Sequence, residues 1–358
     1  MTSISRRLVG ALLLLAFPSL QSRGVGSIHL KKLCSVALSL SLFLHSSPPS
    51  YCDELPSGAS ALSAIAASPS TEDIRTVQLA FRDFDLKNLD DADKEFSISI
   101  NKWKSMQRPR DEIVSLIKAR ANVRLDNKHF DAALADYNEA LQLMSSDGEK
   151  ENGLGRYPEY PDTFVGRALT KEGLADWEGA LEDYNKAISL WGGGRGEGVN
   201  PFVLTYRGNV LGRLGRFADA VPDYQAASDR FNSLRDVARY SDAGANMALA
   251  LYEAGRPEES IKTMKDVLRK NKGYADMHVA LAADAWSNGN YIDALKEWQF
   301  TCEETDVGCE AYKDPSWVST IRRWPPSLAL KLRQFLDRQV PDKLKGVAGD
   351  RLAPNIRQ

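Results

Sequence analysis

The sequence predicts an all-α protein: a right-handed superhelical solenoid of about six helical hairpins with a C-terminal capping helix. Three observations predict it. First, an aromatic or bulky residue, a small residue three positions on and a second bulky apolar residue four positions further recur along the chain. The clear copies are Phe130-Ala133-Tyr137, Trp177-Ala180-Tyr184, Phe217-Ala220-Tyr224 and Tyr291-Ala294-Trp298, with weaker ones at Leu89-Ala92-Phe96 and Pro257-Ser260-Met264. Second, twelve residues before each central small residue stands another: Ala80, Ala121, Ala168, Gly208, Ala248 and Ala282. Third, the central residues lie 41, 47, 40, 40 and 34 positions apart, a spacing that fits stacked two-helix units better than one globular core.

The chain opens on a segment with a different composition. Residues 1–52 carry Arg6, Arg7, Arg23, Lys31 and Lys32 and no acid, and removing those five bases leaves 41 basic against 48 acidic residues, a balance of −7. Such a body repels phosphate backbones, so nucleic acid is not an expected partner. Two apolar runs, Leu8 to Phe17 and Cys34 to Leu44, each follow basic residues and neither reaches the ~18 residues of a comfortable membrane span. Residues 1–66 therefore read as a targeting leader. It resembles the multipartite leader of a thylakoid-lumen protein, with a secretory or endomembrane signal as the alternative and a single retained anchor left open.

The repeat array is expected over 71–304. Within each copy the second helix starts near the first aromatic: Phe130 to Leu143, Trp177 to Leu190, Phe217 to Phe231, Pro257 to Arg269 and Tyr291 to Cys302. Apolar residues recur there at three- and four-residue intervals, the signature of a helix with one buried face. The paired small residues are where two helices can cross at close range. Gly173, Gly215, Gly255 and Gly289 fall at the inter-helix turns, where a positive φ costs glycine little. Pro161 and Pro201 suit a first helical turn, and Asn200 suits the cap before the second of them. Two inserts, Ser145 to Tyr160 and Trp191 to Asn200, lengthen two copies.

On these triplets, small-residue pairs and turns, the chain resembles the tetratricopeptide repeat family from about Thr71 to Glu304. The departures are Leu89 and Ser99 in the first copy and Pro257 and Ser260 in the fifth. A second resemblance covers Tyr312-Lys313-Asp314, Trp317-Val318 and Ile321-Arg322-Arg323-Trp324-Pro325-Pro326, which look like the C-terminal signature of a plastid and cyanobacterial repeat family associated with photosynthetic membranes. Read from the residues, 305–340 is a cap, with Leu328, Leu330, Leu332, Phe335 and Leu336 covering the exposed end of the last repeat. Arg322, Arg323 and Trp324 belong to that cap or form a docking motif. Residues 341–358 are a tail.

An array of this type implies a protein or peptide partner held on the concave face lined by the first helix of each pair. The positions expected to face it are Lys118, Asn122, Tyr206, Asn209, Arg213, Asn246, Tyr252 and Trp286. The resemblance implies a non-enzymatic scaffold that assists thylakoid complexes; the alternatives are a chaperone-docking co-chaperone and an RNA-binding helical repeat. Repeat proteins that grip chaperone C-termini use a five-residue clamp. Lys118 and Asn122 match its first pair, but Gly166, Phe202 and Tyr206 stand where an asparagine and two bases belong.

Enzyme chemistry has little support, and no cofactor or metal is expected. The body has two histidines, His129 and His278, and the stretch Gly192 to Gly198 lacks the Gly-Lys-Ser/Thr ending of a phosphate loop. No paired Cys/His spacing suits zinc. Cys302 and Cys309 bracket a short segment that an oxidising compartment would let them bridge; two free thiols at a helix end are the default expectation.

Overall fold

A computed structural model describes residues 68–148, 160–195 and 198–337. The chain divides into two compact units, Met1–Ile65 and Ala66–Gln358, and every described residue belongs to the second. The expected leader, most of the first insert, the last three residues of the expected cap (338–340) and the tail 341–358 lie outside the described residues.

Six helical hairpins follow one another: α1 (Thr71–Asp85) with α2 (Leu89–Ser105), α3 (Arg110–Asp126) with α4 (Phe130–Gly148), α5 (Tyr160–Gly173) with α6 (Trp177–Leu190), α7 (Pro201–Arg213) with α8 (Phe217–Ser233), α9 (Val237–Glu253) with α10 (Pro257–Lys270), and α11 (Ala275–Ser287) with α12 (Tyr291–Glu304). A 3₁₀ turn (Glu310–Lys313), a π-helical turn (Trp317–Ile321) and α13 (Pro326–Asp337) complete the unit. No strand occurs among the described residues.

Each hairpin closes on its paired small residues. Ala80 and Ala92, Ala121 and Ala133, Ala168 and Ala180, Ala248 and Ser260, and Ala282 and Ala294 are all fully buried, as is Ala220 opposite the buried Gly208. Ser260 fits among alanines because its hydroxyl donates to the Ala248 carbonyl at 2.6 Å across the crossing. Gly208 has no room for more: a Cβ there would sit 2.7 Å from the Tyr224 ring. The bulky member of each triplet fills the volume beside the crossing, with Phe96, Tyr137, Tyr184, Tyr224, Met264 and Trp298 all buried. Exchanging both Ala180 and Ala220 for leucine is expected to cost about 1–3 kcal/mol per site, read as a lower urea midpoint with reduced helical circular dichroism. A parental melting curve would contradict the close crossing.

Helix starts follow from local chemistry. Ser70 and Asp73 form a reciprocal capping box at the start of α1. Asn200 caps α7 through a bond from the Phe202 amide at 3.0 Å, with Pro201 in the first turn. Asp176 and Asp236 cap α6 and α9 in the same way. At the turns, Gly215, Gly255 and Gly289 take positive φ as expected, but Gly173 does not; Ala175 holds φ at +59° in that hairpin. Gly173 serves packing instead, since a Cβ there would lie 2.4 Å from the Phe130 ring of the preceding hairpin. The helix α4 also runs five residues past Leu143, because nothing in Met144–Gly148 breaks it.

First helices of neighbouring hairpins pack on one another, α3 on α5 and α7 on α9, whereas among the described residues no two second helices pack comparably. Curvature of that sense places the first helices on the inner, concave side. The last described helix departs from the expected cap. Helix α13 packs on α11 and α9 instead of stacking beyond α12 as a further repeat would. Leu328, Leu332 and Phe335 are buried in that contact, while Leu330 is 55% exposed.

Candidate peptide groove

The inner face begins with ion pairs that the apolar pattern does not register. In hairpins two to four the residue before the first small position is arginine and the residue before the tyrosine is aspartate. Each such pair forms a bidentate fork across its hairpin: Arg120 to Asp136 at 2.9 and 2.7 Å, Arg167 to Asp183 at 2.8 and 2.6 Å, and Arg207 to Asp223 at 2.7 and 2.7 Å. The remaining arm of each guanidinium reaches back to the preceding hairpin, onto Ser97, Asn138 and Asn185 respectively. The aspartates are almost completely buried. One arginine thus fixes both the closure of its own hairpin and its register on the last, a use of buried charge that favours one arrangement over others. The glycine-rich insert joins this scheme, since Arg195 pairs with Asp223 at 2.5 Å.

The expected groove positions fall into three groups. Asn122 and Asn209 accept bonds from the phenols of Tyr137 (2.6 Å) and Tyr224 (2.9 Å) in their own hairpins. Burial raises both phenols well above the usual tyrosine range, so they remain donors. The side-chain carbonyls of these asparagines are therefore engaged within the fold. In hairpin three, where Leu169 takes the asparagine's place, Tyr184 donates to Glu172 at 2.5 Å instead. Lys118 is half-buried on α3; Tyr206 is half-buried with its ring 6.3 Å from that of Tyr184. Arg213 and Asn246 line a cavity described below.

Tyr252 and Trp286 form the third group, and the structure removes them from the surface offered to a partner. Both are buried under the chain's own C-terminal segment. Beyond α12 the chain turns at a loop closed by a disulfide between Cys302 and Cys309, so the free-thiol expectation is corrected. It then runs back along α11 and α9. Asp276, on the first turn of α11 and 4% exposed, receives three donors from this return segment: the Tyr312 hydroxyl at 2.9 Å, the Trp324 indole at 3.1 Å and the Arg322 guanidinium at 3.0 Å. Further along, Lys331 reaches Tyr252 and Asp284, Ser327 reaches Glu253, and the Phe335 ring packs 5.2 Å from Trp286 and 5.3 Å from Trp298. Arg322 and Trp324 are thus fasteners of the segment. Arg323, between them in sequence, lines the cavity between the segment and α7.

The disulfide sets where this reversal occurs. By the chain-entropy relation, closing so short a loop stabilises the fold by about 2.5 kcal/mol. Replacing Cys302 and Cys309 with serine is expected to lower the unfolding free energy by about that amount, measured by urea titration. An unchanged midpoint under reducing and oxidising conditions would contradict the bridge.

His278 sits between Glu297 (Nδ1 to carboxylate, 2.5 Å) and the Lys272 carbonyl (Nε2, 2.8 Å), so both ring nitrogens are engaged in joining α11 to its neighbours. Among the described residues there is no grouping of three or more His, Cys, Asp or Glu side chains placed to hold a metal, and no helix is long and apolar enough to cross a membrane.

Residues 245–299, which span α10 and α11 with most of α9 and α12, match the family model described as tetratricopeptide repeat. A tetratricopeptide repeat protein from Parabacteroides merdae is similar in fold over 81% of this chain and 100% of its own, at 14% identity and a TM-score of 0.53. YrrB, a tetratricopeptide repeat protein with an unusual peptide-binding site, aligns over 67% of this chain and 97% of its own at 19% identity and a TM-score of 0.44. BtubC from P. vanneervenii aligns over 76% and 95% at 15% identity and a TM-score of 0.45. No curated protein sequence matches the chain.

Proposed function

We propose that this tetratricopeptide-repeat protein is a non-enzymatic scaffold of the plastid, working in the thylakoid lumen, where it holds a segment of a protein partner during assembly or maintenance of photosynthetic complexes. Proteins built from such repeats generally serve as interaction scaffolds. The observation that carries the reading is the return segment. The inner helices of the last two hairpins already hold a stretch of polypeptide, and they do so by anchoring Trp324, Tyr312 and Arg322 on one buried carboxylate. Among the described residues, the inner helices of the first three hairpins carry no such cover, and the fourth meets the segment only at its end, through Arg213. Their inner positions supply aromatic area at Tyr206 and polar groups at Lys118 and Arg213, the mixture that suits a peptide backbone with interspersed side chains.

The compartment rests on composition and redox state. A leader whose first 52 residues hold no acid and two apolar runs suits two successive translocation steps, and a disulfide suits an oxidising compartment. Proximity labelling from the mature protein inside intact plastids tests both parts. Enrichment of lumen-exposed subunits of thylakoid complexes is the expected result. Labelling confined to secretory proteins, together with an N-terminus generated by a single signal cleavage, would overturn the plastid assignment and leave the scaffold to be judged on its own.

A further inference from the structure

Where the return segment meets the open half of the groove, the structure holds two arginines together without a carboxylate bonded to either. Arg213 closes α7 and Arg323 comes from the segment, and both line a cavity of about 360 Å³ with Asn209, Asn246 and Trp324. Arg213 gives one bond to the Thr320 carbonyl at 3.3 Å and lies over the Trp177 ring at 5.6 Å. Among the described residues, neither guanidinium has an ion-pair partner. The acid that acts on both is Glu172, which accepts its short bond from Tyr184 and is not joined to either arginine. Desolvation and the neighbouring Arg323 both lower Arg213 from its ordinary value, as expected for like charges held close at a partly dry site. Two cations facing a cavity, with the one acid near them bonded to a tyrosine and to neither arginine, are complementary to an added anion.

The shape of the site selects which anion. Trp324 and Pro325 are buried walls of the cavity, and beyond them the inner face is filled by α13. A polypeptide lying along the first helices from the N-terminal side therefore meets a closed end at Arg213 and Arg323. A chain that stops there leaves its terminal carboxylate against two guanidinium forks, while a chain that continues must turn out of the groove. The geometry points to a composite subsite, Arg213 with Arg323, that takes the C-terminal carboxylate of an extended peptide from the protein partner. Asn209 and Asn246 supply amide groups beside it. This inference deepens the scaffold reading and rests on it. The site exists only while the return segment is seated, because one of its two arginines arrives with that segment.

The test uses the purified full chain, immobilised, and degenerate octapeptide libraries labelled at the N-terminus. One library ends in a free carboxylate, a second in a carboxamide, and a third is amidated with phosphoserine at the last position. Retention of the free-carboxylate library about fivefold or more above the amidated one is expected. That preference is expected to disappear in an Arg213→Gln/Arg323→Gln variant with parental helical content, and to survive in part with lysine at both positions. Equal retention of free and amidated libraries would overturn the terminus while leaving a peptide-binding groove intact. Preference for the phosphoserine library would overturn it in favour of a phosphate. A ratio unchanged by the double glutamine variant would place the carboxylate elsewhere. Retention of no library would defeat both this inference and the peptide-scaffold reading.

Discussion

Replacing Asp276 with alanine is expected to lower the unfolding free energy by about 2–5 kcal/mol, mostly because two buried donors lose their acceptor, while Arg322, 32% exposed, recovers part of its hydration. The single carboxylate accepts from a phenol, an indole and a guanidinium that arrive from three points of the return segment, 36, 48 and 46 residues away in sequence. Without it, a buried Trp324 N–H and a buried Tyr312 hydroxyl have no acceptor, and each such orphan costs about 1–3 kcal/mol. Release of the segment is cheaper than keeping the Tyr312 and Trp324 donors dry and unpaired. The expected result is thus both a lower urea midpoint and loss of hydrogen-exchange protection over 310–337, with α1 to α8 unaffected. Tyr252 and Trp286 would then become solvent-accessible, and indole fluorescence would be quenched more readily by iodide. Asparagine in place of Asp276 keeps an acceptor and loses the charge, so its effect should fall between the two. A loss below about 1 kcal/mol for the alanine variant, with protection retained, would mean that apolar packing alone seats the segment.

What the sequence made legible, and what it concealed, follows from the range of the interactions. The hairpins could be read because their determinants are local and repeated: Phe217, Ala220 and Tyr224 lie on one face of one helix, and their partner Gly208 is twelve residues away. Caps such as Asn200 and Ser70 depend on the next two or three residues only. The path of 305–337 is not legible in the sequence because its anchors are remote. Nothing in the pattern Leu328, Leu332, Phe335 distinguishes packing on the end of α12 from packing on α11; Asp276 and Asp284 decide it, and their contacts are tertiary. The same reversal covers Tyr252 and Trp286, which register alone had placed on an open groove. Asn122 and Asn209 illustrate a different gap, since their carbonyls are taken by tyrosines fifteen residues later whose hydroxyls the apolar pattern does not register. The Arg–Asp forks could have been found. Arginine before the small residue and aspartate before the tyrosine recur at a sixteen-residue separation in three consecutive hairpins, but a search weighted to apolar periodicity passes over them.

Those forks carry the second large effect. Asp223 is fully buried, and the Arg207 side chain that grips it is 13% exposed. Alanine at Asp223 strands that guanidinium away from water and loosens its hold on Asn185 of the preceding hairpin. A loss of about 3–5 kcal/mol in urea titration is expected. Arg195, 41% exposed, can recover hydration and adds little to the loss. Exchanging both partners, Arg207→Met with Asp223→Leu, removes the unpaired charge together with the attraction, and should fall within about 1–2 kcal/mol of the parent. The forks would then be shown to set arrangement more than stability, and the double variant offers the means to see it. Because the arginine also fixes register between hairpins, the double variant should shift its midpoint much less than Asp223→Ala does, yet lose hydrogen-exchange protection along the α6–α7 boundary. A single Asp223→Ala variant as stable as the parent would contradict the dry environment on which the whole ladder depends.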